Sequence, residues 1–280
     1  MNIESESVCI FVRAYNASKF IEDCLKSIKE QTFSGKIYVK ILYDMGTNDN
    51  TLEVLNKINL SSLNNDNRSF ELINHPNSSP FRALRKYGFE KFEDKYSYFA
   101  ILDYDNLFMP DYLELAIKNI SKDPKGNFLY SIPIKIDISG NNIGYLVKNP
   151  ILPITYLKYI IIFGNFIDAS AIFMDRKCMK VIISKIKLLK SKTYDWIFED
   201  WLIGALALKY CNVSFLSTPK IYYRIHSSNI TYNNTTKDNE NYNRGLLTIS
   251  ALFFLNNDSK MLKIVSILSA LLHQISRLIR

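Results

Sequence analysis

The sequence is sparing with the residues that usually declare a class. Its four cysteines, Cys9, Cys24, Cys178 and Cys211, lie far apart and include no C-x-x-C pair. That argues against a zinc site and against a secreted disulfide framework. Cys9 lies in an apolar run, and Cys24 and Cys178 in helix-like segments, so buried free thiols are expected. No apolar run reaches the roughly 18 to 20 residues of a membrane span. Residues 1–7 are acidic and polar, with neither a basic leader nor an apolar signal core, so a cytoplasmic protein is expected. No G-x-G-x-x-G follows the first apolar run, which disfavours the usual dinucleotide-binding fold. A P-loop signature is also missing.

What remains is a chain of 280 residues, 48% of them hydrophobic, enough for a full core. The formal net charge of +8 suits an anionic partner such as a nucleotide or a phospholipid surface, with solubility alone as the plain alternative. No nucleic-acid-binding module is recognisable, so nucleic acid is not an expected partner.

Residues 8–12 form a continuous apolar run of the kind buried on both faces of a sheet. Arg13 to Asn16 follow as a loop, with Ser18 available to cap a helix whose apolar face is Phe20, Ile21, Leu25 and Ile28. Residues 36–43 read as a second strand. Residues 44–51 are a dense turn signal, in which Asn50 and Glu53 have capping-box spacing. Residues 70–73 make a third strand and residues 79–92 a basic amphipathic helix containing Arg82, Arg85 and Lys86. A fourth strand covers residues 99–102. This repeated strand–helix alternation predicts an α/β fold, a parallel doubly wound sheet flanked by helices.

The fourth strand ends in Asp103-Tyr104-Asp105, with Pro110 where a helix begins and Leu113, Ile117 and Ile120 continuing it. Ligands of open α/β sheets bind beyond the carboxyl ends of the strands. Two carboxylates there can hold a divalent cation that itself holds phosphate. By itself the pair reads equally well as a capped turn.

The second half is less regular. Residues 128–138 read as one strand, 137–142 as a turn, 151–163 as apolar core, 169–174 as a strand and 175–189 as a Lys-rich helix. A helix over 196–210 carries Glu199 and Asp200 at its positive N-terminus. Residues 213–216 and 220–225 are short strands, and 226–243 a polar loop. Residues 259–280 have helical apolar spacing through Ile264, Leu268, Leu271, Ile275 and Leu278. Such a helix suits an anionic lipid surface, a dock on the chain's own core, or a contact between copies.

In order, these motifs resemble family 2 glycosyltransferases of the GT-A fold. Ile10-Phe11-Val12-Arg13-Ala14-Tyr15-Asn16 is similar to the family's strand ending in P-x-Y-N, with Arg13 in place of the usual proline. Asp44-Met45-Gly46-Thr47-Asn48-Asp49-Asn50-Thr51 is similar to D-D-G-S-x-D-x-T, with Met45 replacing the second aspartate. Leu102-Asp103-Tyr104-Asp105-Asn106 with Pro110 and Leu113 resembles L-D-x-D-D-x-x-x-P-x-x-L. Glu199-Asp200 and Tyr223-Arg224-Ile225-His226 resemble the acceptor-side E-D pair and the later Y-R-x-H. Arg85-Lys86-Tyr87-Gly88 loosely resembles R-N-x-G.

The resemblance implies a Rossmann-like, mainly parallel sheet with a C-terminal helical appendage. Residues 1–232 would form the catalytic domain, with a nucleotide-sugar half to about residue 125 and an acceptor half from 126; residues 244–280 would be the appendage. It implies inverting transfer of a sugar from a nucleotide-sugar donor, expected to be UDP-linked. The acceptor is expected to be a saccharide or lipid-linked saccharide of the cell surface, reached at the inner face of the membrane. Asp44 and Tyr15 fall on the nucleotide side, Asp103 on the ribose or, through water, the metal, and Arg85 on the diphosphate. Asp105 and His226 are the expected ligands of Mn²⁺ or Mg²⁺. Asp200 is the expected base and Glu199 its positioning neighbour, with Trp196 and Trp201 packing on a sugar or in the core. A sugar nucleotidyltransferase is the nearest alternative, but residues 8–18 lack its Gly-rich loop. An inactive nucleotide- or glycan-binding subunit is the other alternative, and a homo-oligomer is compatible with either.

Overall fold

A computed structural model describes residues 6–76, 80–92, 94–146, 157, 160–162, 164–188, 199–227, 229 and 249, without the side chains of 80, 81 and 188. In chain order the first half runs β1 (Ser7–Ala14), α1 (Ile21–Lys29), β2 (Lys36–Asp44), α2 (Thr51–Ile58), α3 (Leu60–Leu63) and β3 (Arg68–His75). Then come α4 (Pro80–Ala83), a π turn (Leu84–Phe89), α5 (Glu90–Phe92), β4 (Tyr98–Asp103), β5 (Leu107–Phe108) and α6 (Tyr112–Asn119). The second half contributes β6 (Asn127–Ser131), β7 (Ile134–Ile136), β8 (Asn142–Tyr145), β9 (Ile172–Asp175), α7 (Arg176–Leu188), α8 (Glu199–Tyr210), β10 (Asn212–Leu216) and β11 (Ile221–Arg224).

The main sheet has the order β10-β6-β9-β4-β1-β2-β3. As expected, β1 pairs in parallel with β2 and β4, and β2 with β3. Val8 to Val12 are wholly buried because the sheet is covered on both sides. Val8, Ile10 and Val12 meet α1 and α6 on one face, through Ile21, Leu25, Leu113 and Ala116. Cys9 and Phe11 meet the π turn, α7 and α8 on the other, through Phe89, Ile182 and Trp201. Phe11 stacks on Phe99 at 6.2 Å and takes the edge of Phe89 at 5.4 Å.

Several expectations change. β9 runs antiparallel between β4 and β6, because an apolar strand pattern carries no information about direction. Residues 128–138 are not one strand. β6 stays in the main sheet, while β7 joins a second sheet of order β5-β11-β7-β8. Pro133 stands at the break, where it has no N–H to give a ladder. Ser18 does not cap α1; its N–H donates to Asp49 Oδ2 at 3.0 Å. Asn50 makes no side-chain cap on α2, and Asp49 Oδ1 instead accepts from Thr51 N at 3.0 Å. Cys9 and Cys24 are buried free thiols, but Cys178 is disulfide-bonded to Cys211, with Cα atoms 5.8 Å apart. The pair lay too far apart in sequence to be recognised. Trp196 and, apart from Ile249, the expected appendage over 244–280 lie outside the described residues. Among the described residues no helix is long and apolar enough to cross a membrane.

Gly126 opens β6 at φ +99°, and a Cβ there would lie 2.6 Å from the backbone nitrogen of Cys178. Its carbonyl accepts from Asn212 N at 2.9 Å, joining β6 to β10. Gly140, at φ +88°, has open space around it. Urea unfolding should show Gly140→Ala costing about 1 kcal/mol for backbone strain alone, and Gly126→Ala costing clearly more, about 2 kcal/mol or above. Equal costs would show that the approach of α7 to β6 is not tight.

Candidate active site

Side chains alternate between the faces of a strand. Phe11 of β1, Leu42 of β2, Ile73 of β3 and Ile101 of β4 all enter the same core cluster. The residues two positions on are Arg13, Asp44, His75 and Asp103. They extend that face at the carboxyl ends of four adjacent parallel strands, with Arg13 in register with Asp103 and Asp44 with His75. The loops that follow are tied together. Asn16, at φ 50°, accepts from Asn48 N at 3.0 Å, and Ala17 N donates to Thr51 Oγ1 at 2.6 Å. Asp44 is buried and accepts from Gly46 N at 2.7 Å through Oδ1. Tyr15 stands 49% exposed beyond β1, so its ring is open to a ligand. His75 stacks on Tyr87 at 5.4 Å.

The two aspartates after β4 have different partners. Arg13 Nε donates to Asp103 Oδ1 at 2.7 Å. Asp105 is buried, with its Oδ2 2.9 Å from His226 Nε2 and 3.2 Å from Asn229 Nδ2. Arg224 holds this loop in place, donating to Asp105 O at 3.2 Å through Nε, while its backbone N–H reaches Asn106 Oδ1 at 3.0 Å. Asn106 in turn donates to Ser170 Oγ at 2.8 Å, and the same oxygen accepts from Asp103 N at 3.1 Å. His226 is therefore a buried partner of Asp105 and not a surface histidine.

Glu199 and Asp200 open α8 as expected. Arg13 Nη1 forms an ion pair with Glu199, which brings the first turn of α8 against the ends of β1 and β4. Asp200 Oδ1 accepts from Trp201 N at 2.7 Å. Trp201 is wholly buried, with Nε1 donating to Ile161 O at 2.6 Å, so it is core and not a sugar platform. Arg85 donates through Nε to Glu90 at 2.7 Å, within the π-turn helix. Asp168 was missed in the sequence. It precedes a small-residue turn and accepts from Ser170 N at 2.9 Å, a pairing that only the fold brings beside Asp103 and Asp200.

These carboxylates crowd one another. Burial raises Asp200 to about 6, against the lowering effects of the Trp201 N–H and Arg13. Burial, with help from Asp103 and Asp200, lifts Asp168 well above the usual range. Burial also raises Asp103, although Arg13 opposes it. Burial works against the Arg13 charge, but Asp103 outweighs it and the guanidinium holds its proton more firmly than usual.

The carboxylate oxygen of Asp105 and the imidazole nitrogen of His226 lie 2.9 Å apart, and oxygen and imidazole donors of this kind fit Mn²⁺ or Mg²⁺. Among the described residues no group of three or more His, Cys, Asp or Glu side chains has metal-binding geometry.

The model of the family described as "Glycosyl transferase family 2" matches residues 9–181, well over half of the chain. The chain belongs to glycosyl transferase family 2. Over 134 residues it is 32% identical to the chondroitin synthase of Pasteurella multocida (strain Pm70) and to the hyaluronan synthase of Pasteurella multocida. That stretch is 48% of this chain but 13% of either relative, so the chain spans a small part of their length. The fold is similar to that of S. aureus TarS 1–349 in complex with UDP-GlcNAc, with TM-score 0.60, 13% identity, and 93% of this chain and 70% of that one covered. It is also similar to the mannosyltransferase PcManGT from Pyrobaculum calidifontis in complex with GDP-Man and Mn²⁺, with TM-score 0.59, 14% identity, and 97% and 72% covered. The family 2 and GT-A expectations therefore hold, and the nucleotidyltransferase alternative falls.

Asp168 supplies a test of the electrostatics. A carboxyl whose pKa is raised on folding favours the folded state at low pH, and that contribution is lost as pH rises from the unfolded value towards the folded one. Asp168→Asn keeps an oxygen for Ser170 N but cannot ionise. Its melting temperature should rise relative to the parent protein as the pH climbs above the ordinary carboxylate range, about 4, towards the raised folded-state value. A constant difference would mean that Asp168 ionises normally.

Proposed function

We propose that this family 2 chain is an inverting glycosyltransferase. It moves a sugar from a nucleotide-sugar donor to a hydroxyl of a saccharide or lipid-linked saccharide in cell-surface glycan synthesis. The observation that carries this reading is the convergence of Asp103 with Glu199 and Asp200 around Arg13, at the carboxyl ends of β1 and β4. The names of the similar proteins, two glycosaminoglycan synthases and two proteins bound to nucleotide sugars, agree with it.

Asp44 accepts an N–H of the nucleotide base through the oxygen not committed to Gly46, as uracil N3 would offer, and Tyr15 packs beside the base. Asp103 meets the ribose. Asp105 and His226 would hold a divalent ion, which when bound would supply positive charge to the departing diphosphate. Arg85 reaches the diphosphate after exchanging Glu90 for it. Asp200 takes the proton of the acceptor hydroxyl as that oxygen bonds to the anomeric carbon, and the nucleoside diphosphate leaves with the electron pair of the broken C–O bond. Its raised pKa makes it a stronger base than an ordinary aspartate while leaving it ionised at neutral pH. Glu199 orients the acceptor. The amphipathic segment at 259–280 would bring the enzyme to an anionic lipid surface, where such acceptors are anchored.

Thermal shifts and donor hydrolysis with UDP- and GDP-sugars, with and without Mn²⁺, test the reading. A metal-dependent response to a nucleotide sugar is expected, and silence across the panel rejects the proposal. With a responding donor, Asp105→Ala should abolish the metal dependence. Asp200→Asn should keep donor binding and lower transfer by about 100-fold or more. The rate of transfer should climb with pH through about 6 and level off above it, because the base works only when ionised. A flat acid limb would remove Asp200 from the role.

A further inference from the structure

Arg13 stands where the family's first motif has proline, and its side chain does something a proline cannot. Nε donates to Asp103 Oδ1 at 2.7 Å and Nη2 meets the same oxygen, while Nη1 pairs with Glu199 Oε1. One planar fork thus joins the end of β4 to the first turn of α8. The three side chains are 12 to 22% exposed, so water does little of the screening. Behind them stand Asp168 and Asp200, whose charges also bear on the guanidinium. Arg13 is therefore the cation around which four carboxylates assemble.

We propose that Arg13 is a positioning residue, which by clamping Glu199 to Asp103 holds the first turn of α8, and Asp200 with it, where Asp200 can take the proton of the acceptor hydroxyl. The proposal rests on the glycosyltransferase reading. Arg13 meets Asp103 through Oδ1, which leaves Oδ2 to the ribose, so the clamp and the donor contact use different oxygens of that carboxylate. A neutral side chain at 13 leaves Asp103 and Glu199 facing each other unpaired, and repulsion moves the start of α8 away. Lysine keeps the charge but lacks the fork, so it can serve one carboxylate well and not both.

The test is a cycle of Arg13→Met, Glu199→Gln and the double variant, with Arg13→Lys as the conservative arm. Each is measured for transfer kcat, donor KM and melting temperature without substrate. Arg13→Met should lower kcat by about 100-fold, the scale of a misplaced catalytic group, with donor KM nearly unchanged. Arg13→Lys should recover part of that loss. On the Glu199→Gln background the added loss from Arg13→Met should shrink to a few-fold, because the charge it answers is already gone. The melting temperatures should show the same non-additivity. Independent, multiplying effects overturn the clamp. A donor KM that rises as much as kcat falls makes Arg13 a donor ligand and overturns it as well. If Arg13→Met does not fold, the Lys and Gln variants carry the comparison, and an unaltered kcat in both rejects the role. Failure of the unsubstituted protein to use any nucleotide sugar refutes the glycosyltransferase reading instead, and the melting cycle still decides whether the clamp exists.

Discussion

The register of β1 between β2 and β4 is the constraint on which the site depends. Because side chains alternate, a slip of one residue would turn Arg13 to the opposite face while Asp44 and Asp103 stayed behind. The slip is resisted by packing. It would drive Cys9 and Phe11 out of one core cluster and Val8, Ile10 and Val12 out of the other. A strand buried on both faces has no neutral alternative register. The hydrogen bonds between the loops after β1 and β2 then extend that alignment beyond the strands.

Charge is the second constraint, and it opposes the first. Packing the polar row against a covered sheet takes Asp103, Asp168 and Asp200 partly out of water, and each is raised by burial. Arg13 offsets some of this with its ion pair to Asp103 and its charge near Asp200. The remaining strain is what a site built for cations and proton transfer would carry: carboxylates gathered closely enough to bind positive charge and basic enough to accept a proton.

Much of this was legible in one dimension, for definite reasons. The strand of residues 8–12 could be read because an apolar run of that length has few other uses, and Asp103 and Asp105 because they follow such a run and precede a helix. Glu199 and Asp200 were legible as acids at a helix start. Direction was not legible, so β9 was read as one more strand and not as an antiparallel insertion. Long-range pairing was not legible either. Nothing near Asp168, Asn229 or Cys211 in sequence announces that the fold will bring Asp103 and Asp200 to the first, Asp105 to the second and Cys178 to the third, each from more than thirty residues away. Caps failed for a local reason: α1 begins at Ile21, so Phe20 and not Ser18 holds the cap position, and before α2 it is Asp49, not Asn50, whose carboxylate meets the first helical N–H.

The fold also separates two aspartates that sequence spacing makes look equivalent. Asp103 is the last residue of β4, so its side chain follows the strand's alternation onto the face shared with Arg13, and through Arg13 it is joined to α8. Asp105 lies past the strand, where the loop has turned, and it meets His226 and Asn229 from the segment after β11. Tyr104 is thus the point at which one chain segment changes allegiance, from the sheet and α8 to the segment after β11. Two carboxylates one residue apart therefore tie the end of β4 to two different parts of the chain, which spacing in sequence alone does not reveal.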